Sequence, residues 1–265
     1  MSSQINKAPG VRFLSLLAGI LMLLGSVSFA MAGQFGTRCQ RSYEANWQTT
    51  LPYAWARCGG FNNELDDTDT RDFYFNLVGS TCGFSTCDDH QPAGGVDTVD
   101  LFYVSTHGGT TATDAVLTMW DNGSEVISSA WRYGDDDDQV AIFSQYACDT
   151  LQNRDGNIWA RWDSVFRGGV HIVTGSDDKL WDSITTDEVG EDYADGLQKR
   201  KSVKNAWFDG NSDWWTSQDL KVMTVGRTLA ECVSRKDGIT WQNFPSFPRL
   251  RDGNMGWWCT TRITG

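Results

Sequence analysis

The sequence predicts an α/β sandwich built on a mainly parallel sheet, and three observations carry that prediction. From Val96 onward, short apolar runs recur between turn signals, the mark of buried strands. Trp159, Trp162, Val165 and Phe166 stand at helical spacing and give one apolar helix face. Strand-like and helix-like segments then alternate, which builds a parallel sheet covered by helices.

The amino terminus reads as an export signal. Lys7 and Arg12 precede the apolar run 13–24 with no acidic residue, and Ala30, Met31 and Ala32 form a small-x-small cleavage pattern before Gly33. An uncleaved anchor is the alternative, since the apolar stretch can be extended to Ala30, but Gly25, Ser26 and Ser28 weaken it. Cleavage after residue 32 would leave a secreted or periplasmic chain of 233 of the 265 residues, enough for one large domain with a buried core.

Residues 33–95 are rich in Gly, Asn, Asp and Thr and read as an irregular, disulfide-tied N-terminal region that belongs to the main domain, with 73–78 as a plausible helix or strand. Residues 96–265 read as the main α/β domain. In it, 99–105 and 115–120 are expected strands, and 125–129 completes a hairpin across Asn122-Gly123, a pair that favours a tight turn. Strands are expected at 140–147 and 170–173, with the Trp159 helix between them. Helices are expected at 186–198, opening on Thr186, Asp187 and Glu188 as a cap with favourable dipole charges, and at 202–208. Residues 220–225 read as the last strand.

Seven cysteines follow the signal: Cys39, Cys58, Cys82, Cys87, Cys148, Cys232 and Cys259. In an oxidising compartment an odd count leaves one thiol without an intramolecular partner. Six lie in polar, turn-rich surroundings, whereas Cys148 follows the apolar run 140–143 and reads as the end of a buried strand, so it is the expected free thiol. Proximity pairs 39–58, 82–87 and 232–259, one of fifteen possible connectivities.

Residues 33–265 carry 20 Lys and Arg against 34 Asp and Glu, a formal −14. Nucleic acid and anionic membrane are therefore poor partners, because a phosphate-binding surface needs a basic patch. The one basic cluster, Lys199, Arg200, Lys201 and Lys204, reads as a solvated helix end.

Function in open α/β sheets collects beyond the carboxyl ends of strands. Two reactive side chains fall there: His107, followed by Gly108 and Gly109, and Cys148, followed by Asp149. A thiol at its ordinary pKa is only a few per cent ionised at neutral pH and needs a nearby base to act as a nucleophile. Adjacent parallel strands would supply it in His107, and the amides of Gly108 and Cys148 could bind a developing oxyanion. A structural role for both residues is the other reading of the spacing.

Four segments in this order, D-L-F-Y-V-S-T-H-G-G, V-A-I-F-S-Q-Y-A-C-D-T-L, F-R-G-G-V-H-I-V-T-G and V-K-N-A-W-F-D-G, resemble the caspase-like cysteine peptidases, and most nearly a bacterial branch of gingipain- and CHAT-like domains. The resemblance covers about residues 51–226. It implies a three-layer α/β/α sandwich, a peptide or protein substrate, His107 as general base and Cys148 as nucleophile. Specificity in that group is set by a pocket beside the nucleophile, for which Asp177 and Asp178 are candidate lining residues with a solvated turn as the alternative; Asp182 is a weaker candidate. Tyr146 stands two residues before Cys148 where arginine-specific relatives often carry an acid. A non-catalytic secreted binding domain of the same fold is the competing function, and a carboxylate-based glycosidase a third.

No metal is expected in catalysis, because three scattered histidines and oxidised cysteines give no zinc spacing. Asp135, Asp136, Asp137 and Asp138 could collect calcium, which prefers oxygen ligands, and Asp66, Asp67, Asp69 and Asp72 offer a second such series; both lack EF-hand spacing and also read as solvated loops. His171, flanked by Ile172 and Val173, reads as core. The thirteen tryptophans read mainly as core aromatics.

Overall fold

A computed structural model of the chain describes residues 33–40, 50–66, 70–76, 96, 99–118, 125–127, 140–212, 218–251 and 253–264. The expected signal (1–32), the Cys82 and Cys87 pair, His90, Asp67, Asp69 and the Asp135 to Asp138 run lie outside them. Among the described residues no helix is long and apolar enough to cross a membrane, and no group of three or more His, Cys, Asp or Glu is placed to hold a metal.

The strands are β1 (Gln34–Cys39), β2 (Thr70–Asn76), β3 (Leu101–Ser105), β4 (Gly108–Thr110), β5 (Ala115–Thr118), β6 (Glu125–Ile127), β7 (Ile142–Tyr146), β8 (Ile172–Ser176), β9 (Leu220–Gly226) and β10 (Trp257–Ile263). The helices are α1 (Ala54–Asp66), α2 (Ile158–Gly168), α3 (Val189–Gln198), α4 (Val203–Asn211) and α5 (Leu229–Gly238). Seven strands form one sheet in the order β10-β9-β8-β7-β3-β1-β2. Strands β2, β1, β3, β7 and β8 pair in parallel, while β9 is antiparallel to both its neighbours. The mixed α/β class and the mainly parallel sheet are as expected.

Strands β3 and β7 are buried at every position, as central strands covered on both faces must be. Alternation splits their side chains between two cores. Tyr103, Ile142 and Ile172 meet Phe61 of α1, Tyr193 of α3 and Trp207 of α4 on one face, whereas Phe102, Val104, Phe143 and Val173 meet Trp162, Val165 and Phe166 of α2 on the other. Helices therefore lie on both faces of the sheet.

Three expectations are corrected. The described residues among 33–76 are not irregular: β1 and β2 extend the parallel sheet beyond β3, and α1 packs on it. The polar strand β1, with Thr37 and Arg38 buried, is held by neighbours on both edges and not by an apolar pattern. The helix expected from 186 begins at Val189, because Thr186 belongs to a short 3-10 turn, Ile184–Thr186, closed by a reciprocal Ser183–Thr186 capping box. Strand β9 is not the last; Trp257–Ile263 adds an edge strand fastened to α5 by the Cys232–Cys259 disulfide. Two helices, α3 and α4, separate β8 from β9, and a pair of crossings leaves the chain at the edge where β8 ended, so β9 runs back. The Cys39–Cys58 disulfide is also present, and Cys148 is a free cysteine.

Three members of the basic cluster are paired with acids. Lys199 pairs with Asp195, Lys201 with Asp209 and Lys204 with Asp237, each at 2.7 to 2.8 Å.

His171 is core, only 2% exposed, and neither ring nitrogen has a hydrogen-bond partner among the described residues. Burial, reinforced by Arg249 and Arg235, lowers its pKa from 6.5 to about 3. The folded value lies below the unfolded one, so the stability this neutral ring permits is present above pH 6.5 and is lost as pH falls toward 3. Unfolding free energy should fall by up to about 1.4 kcal/mol per pH unit across that window. Urea midpoints at pH 7, 5 and 4 should show this slope flattened in His171→Leu; an unchanged slope would assign the acid sensitivity to other groups.

Candidate active site

The parallel register sets Ser105 at the end of β3 beside Tyr146 at the end of β7. Two residues beyond each of these strand ends, His107 and Cys148 come to line the same pocket, about 210 Å³, with Leu51, Arg57, Tyr146, Leu180, Trp181 and Asp182 around it. The sheet therefore brings the expected pair together at its carboxyl edge.

Gly108 fixes how close they come. A Cβ built on it would lie 2.6 Å from the Cys148 carbonyl oxygen, 2.8 Å from the Ala147 Cβ and 3.0 Å from the Cys148 nitrogen, so the two main chains expected to offer amides to an oxyanion lie against each other. Gly109, one residue on, has open space. Gly108→Ala should therefore cost about 1–3 kcal/mol in urea unfolding by overpacking, while Gly109→Ala should change it by less than about 0.5 kcal/mol. Equal effects would contradict this close approach.

The turn after Cys148 is tight. Asp149 adopts φ 57°, a left-handed conformation that aspartate tolerates better than most residues. Its N–H donates to Asp178 O at 3.0 Å, and Leu151 N–H donates to Ser176 O at 2.8 Å, so the β7 and β8 loops are stitched together. Across this seam the Leu180 N–H donates to Cys148 Sγ at 3.3 Å. Burial pushes the Cys148 thiol up; the Leu180 N–H works in the opposite direction and the Asp149 charge adds to the rise. The net shift favours the thiol form of Cys148.

The pocket has a buried polar wall. Arg57, 1% exposed, donates from Nε to Ser105 Oγ at 3.0 Å, from Nη1 to Thr186 Oγ1 at 3.1 Å and from Nη2 to Asp182 Oδ1 at 2.6 Å, and its guanidinium stands 4.3 Å over the Tyr146 ring. The Tyr146 hydroxyl donates to Trp181 O at 2.7 Å. Arg57 adjoins Cys58, whose disulfide to Cys39 ties α1 to the end of β1. Trp181, 60% exposed, forms the rim.

Asp177 and Asp178 do not line this pocket. Asp177 is buried in an ion-pair group with Lys221 and Arg262, the latter at 2.8 Å, and borders a separate cavity of about 390 Å³. Burial opposes its ionisation most strongly, yet Lys221 and Arg262 together outweigh that and hold its carboxyl below the ordinary range. Asp178 is lowered by the Lys179 N–H and by Arg154, which pairs with it at 2.8 Å. The acid in the Cys148 pocket is Asp182. Sequence reasoning ranked it last and missed Arg57, Leu51, Leu180 and Trp181. The signal available was an arginine beside a bridging cysteine, which does not reveal where the side chain points.

Fold and pocket together define an α/β protein with a free thiol and an imidazole at neighbouring strand ends. Residues 39–262 match the model of the DUF6345 family, a domain of unknown function, and the chain belongs to that family. No curated protein matches it in a sequence comparison.

Proposed function

We propose that this protein is a secreted cysteine peptidase of caspase-like fold in which Cys148 is the nucleophile and His107 the general base. The observation that carries the reading is the shared pocket: the free thiol and an imidazole line one cavity at adjacent parallel strand ends. Export fits the disulfides at Cys39–Cys58 and Cys232–Cys259, which persist in oxidising compartments.

In the proposed reaction His107 accepts the thiol proton as Sγ attacks the peptide carbonyl, then gives it to the leaving amine as the C–N bond breaks. Water adds to the thioester, His107 takes a proton from it, and the acid product leaves with the thiol restored. Burial favours the neutral thiol at Cys148, so the proposed first step needs a base to take its proton. The pocket wall pairs one cation with one anion, Arg57 with Asp182, so its charge is balanced and an uncharged substrate side chain fits it better than a basic or acidic one.

The test is a digest of a mixed peptide library by residues 33–265, read by mass spectrometry beside the Cys148→Ala protein, together with labelling by a peptidyl acyloxymethyl ketone. Cleavage absent from the variant and an adduct on Cys148 are expected. Cleavage that is equal in both proteins, or an adduct elsewhere, would remove the nucleophile. A non-catalytic binding role is the second reading, favoured by the upward shift of the thiol; absence of both cleavage and adduct would establish it over the first.

A further inference from the structure

We infer that Arg161 and Gln152 are positioning residues that hold His107 against Cys148, a step that rests on the cysteine–histidine reading above. His107 leaves β3 and passes at once into the small sheet of β4, β5 and β6. The two are hydrogen-bonded together: Thr118 N–H donates to His107 O at 3.0 Å, and the Thr106 hydroxyl donates to Thr118 O. Strands β4 and β6 are three residues each, too short to hold an orientation without outside support. Where the imidazole sits relative to the thiol therefore depends on what anchors this sheet.

At its root the anchor is the Gly108 contact with Cys148. Further along it is polar. Gln152, four residues after Cys148, donates from Nε2 to Thr110 Oγ1 at 2.9 Å. Arg161 of α2 donates from Nε to Thr111 O at 2.7 Å and from Nη1 to Gln152 O at 2.9 Å, and its Nη2 pairs with Asp155. One guanidinium thus holds the strand that follows His107 and the turn that follows Cys148.

The post is rigid. Arg161 is 1% exposed, and its neighbour Trp162 is buried, with its indole N–H donating to Thr150 O at 2.9 Å. The Cys148 turn is fixed to β8 by the Leu151 and Asp149 amides, so Gln152 and Arg161 tie the β4 strand to a turn that is itself held. A planar fork with several donors can reach acceptors on both segments at once, Thr111 on one side and Gln152 with Asp155 on the other; the single ammonium of lysine cannot.

The readout is the rate at which iodoacetamide alkylates Cys148 in residues 33–265 at pH 7, measured by mass spectrometry, with hydrogen exchange over 108–118 in parallel. Wild type should label about tenfold faster than His107→Ala, because the imidazole takes the thiol proton. Gln152→Ala and Thr110→Val should each lose at least about half of that advantage, and the double variant no more than either, since both remove one contact. In the His107→Ala background neither should matter, which a merely structural role would not produce. Exchange over 108–118 should quicken in Gln152→Ala, and Arg161→Lys should not restore wild-type rates. Both single variants sit at half-buried positions; Thr110→Val removes the shared hydrogen bond, and Gln152→Ala removes it together with the one Gln152 Oε1 accepts from the Arg154 N–H, so they test the idea even if Arg161 variants fail to fold.

Equal labelling of wild type and His107→Ala would remove the dyad, and the positioning role with it. A His107 advantage that survives intact in Gln152→Ala and Thr110→Val would overturn the positioning role alone and leave the dyad standing. Unchanged exchange would overturn the anchor in either case.

Discussion

Replacing Cys148 by alanine is expected to lower peptide hydrolysis about a thousandfold or more while shifting the unfolding free energy by less than about 1 kcal/mol. The chemical loss is large because no other described cysteine is free: Cys39, Cys58, Cys232 and Cys259 are bridged. The structural loss is small because the half-buried Sγ accepts one hydrogen bond, from Leu180 N–H, and fills little of the core. His107→Ala should cost a comparable factor, and the double variant hardly more than either, as expected of groups that act as a unit. The pH behaviour follows from the direction of the thiol shift. Burial raises Cys148, so without His107 its alkylation should follow thiol ionisation and climb only above the ordinary value near 8.5. Hydrolysis that persists in Cys148→Ala, with unchanged products, would end the proposal.

Arg57→Ala should be the most destabilising single change around the pocket, lowering the urea-unfolding free energy by about 3–5 kcal/mol. Arg57 is fully buried and its partner Asp182 is 14% exposed, so removing the guanidinium strands a mostly buried carboxylate and also orphans Ser105 Oγ and the Thr186 contacts. The effect reaches the nucleophile. Asp182 and Thr186 lie on the segment that directly follows Leu180, whose N–H meets Sγ, so the variant should also lose the proposed peptidase activity. Arg57→Lys should not rescue it, since one ammonium cannot serve Ser105, Thr186 and Asp182 together. Replacing both partners by apolar residues, Arg57→Met with Asp182→Leu, should recover part of the stability but not the activity. A loss below about 1 kcal/mol in Arg57→Ala would mean that the pair is hydrated and that the wall is not fixed as described.

Much of the sheet was legible because its central strands are apolar on both faces. Residues 99–105 and 140–147 enclose β3 and β7, and the glycine-flanked run at 170 marks the start of β8. The amphipathic helix was legible from Trp159, Trp162, Val165 and Phe166, which fall within α2. Strand β1 was not, since Gly36, Thr37 and Arg38 carry no alternation, and its identity comes from hydrogen bonds to β2 and β3 that are distant in sequence. The same holds for β10, which is largely exposed and owes its place to pairing with β9.

The sequence by itself determined the α/β class, the ends of β3 and β7 as the places where His107 and Cys148 stand, and which described cysteine is left as a thiol. Those conclusions rest on local pattern and on parity, which need no knowledge of contacts. Only the tertiary structure decided what surrounds the thiol. It put Asp182 in the Cys148 pocket and left Asp177 and Asp178, which pair with Lys221, Arg262 and Arg154, outside it, and it set Arg57 opposite the Asp182 carboxylate from a helix 125 residues earlier in the chain. The physical reason is that side-chain pairing depends on which loops the sheet order makes neighbours, and the order β8-β7-β3-β1 is a property of the assembled sheet that no segment encodes alone.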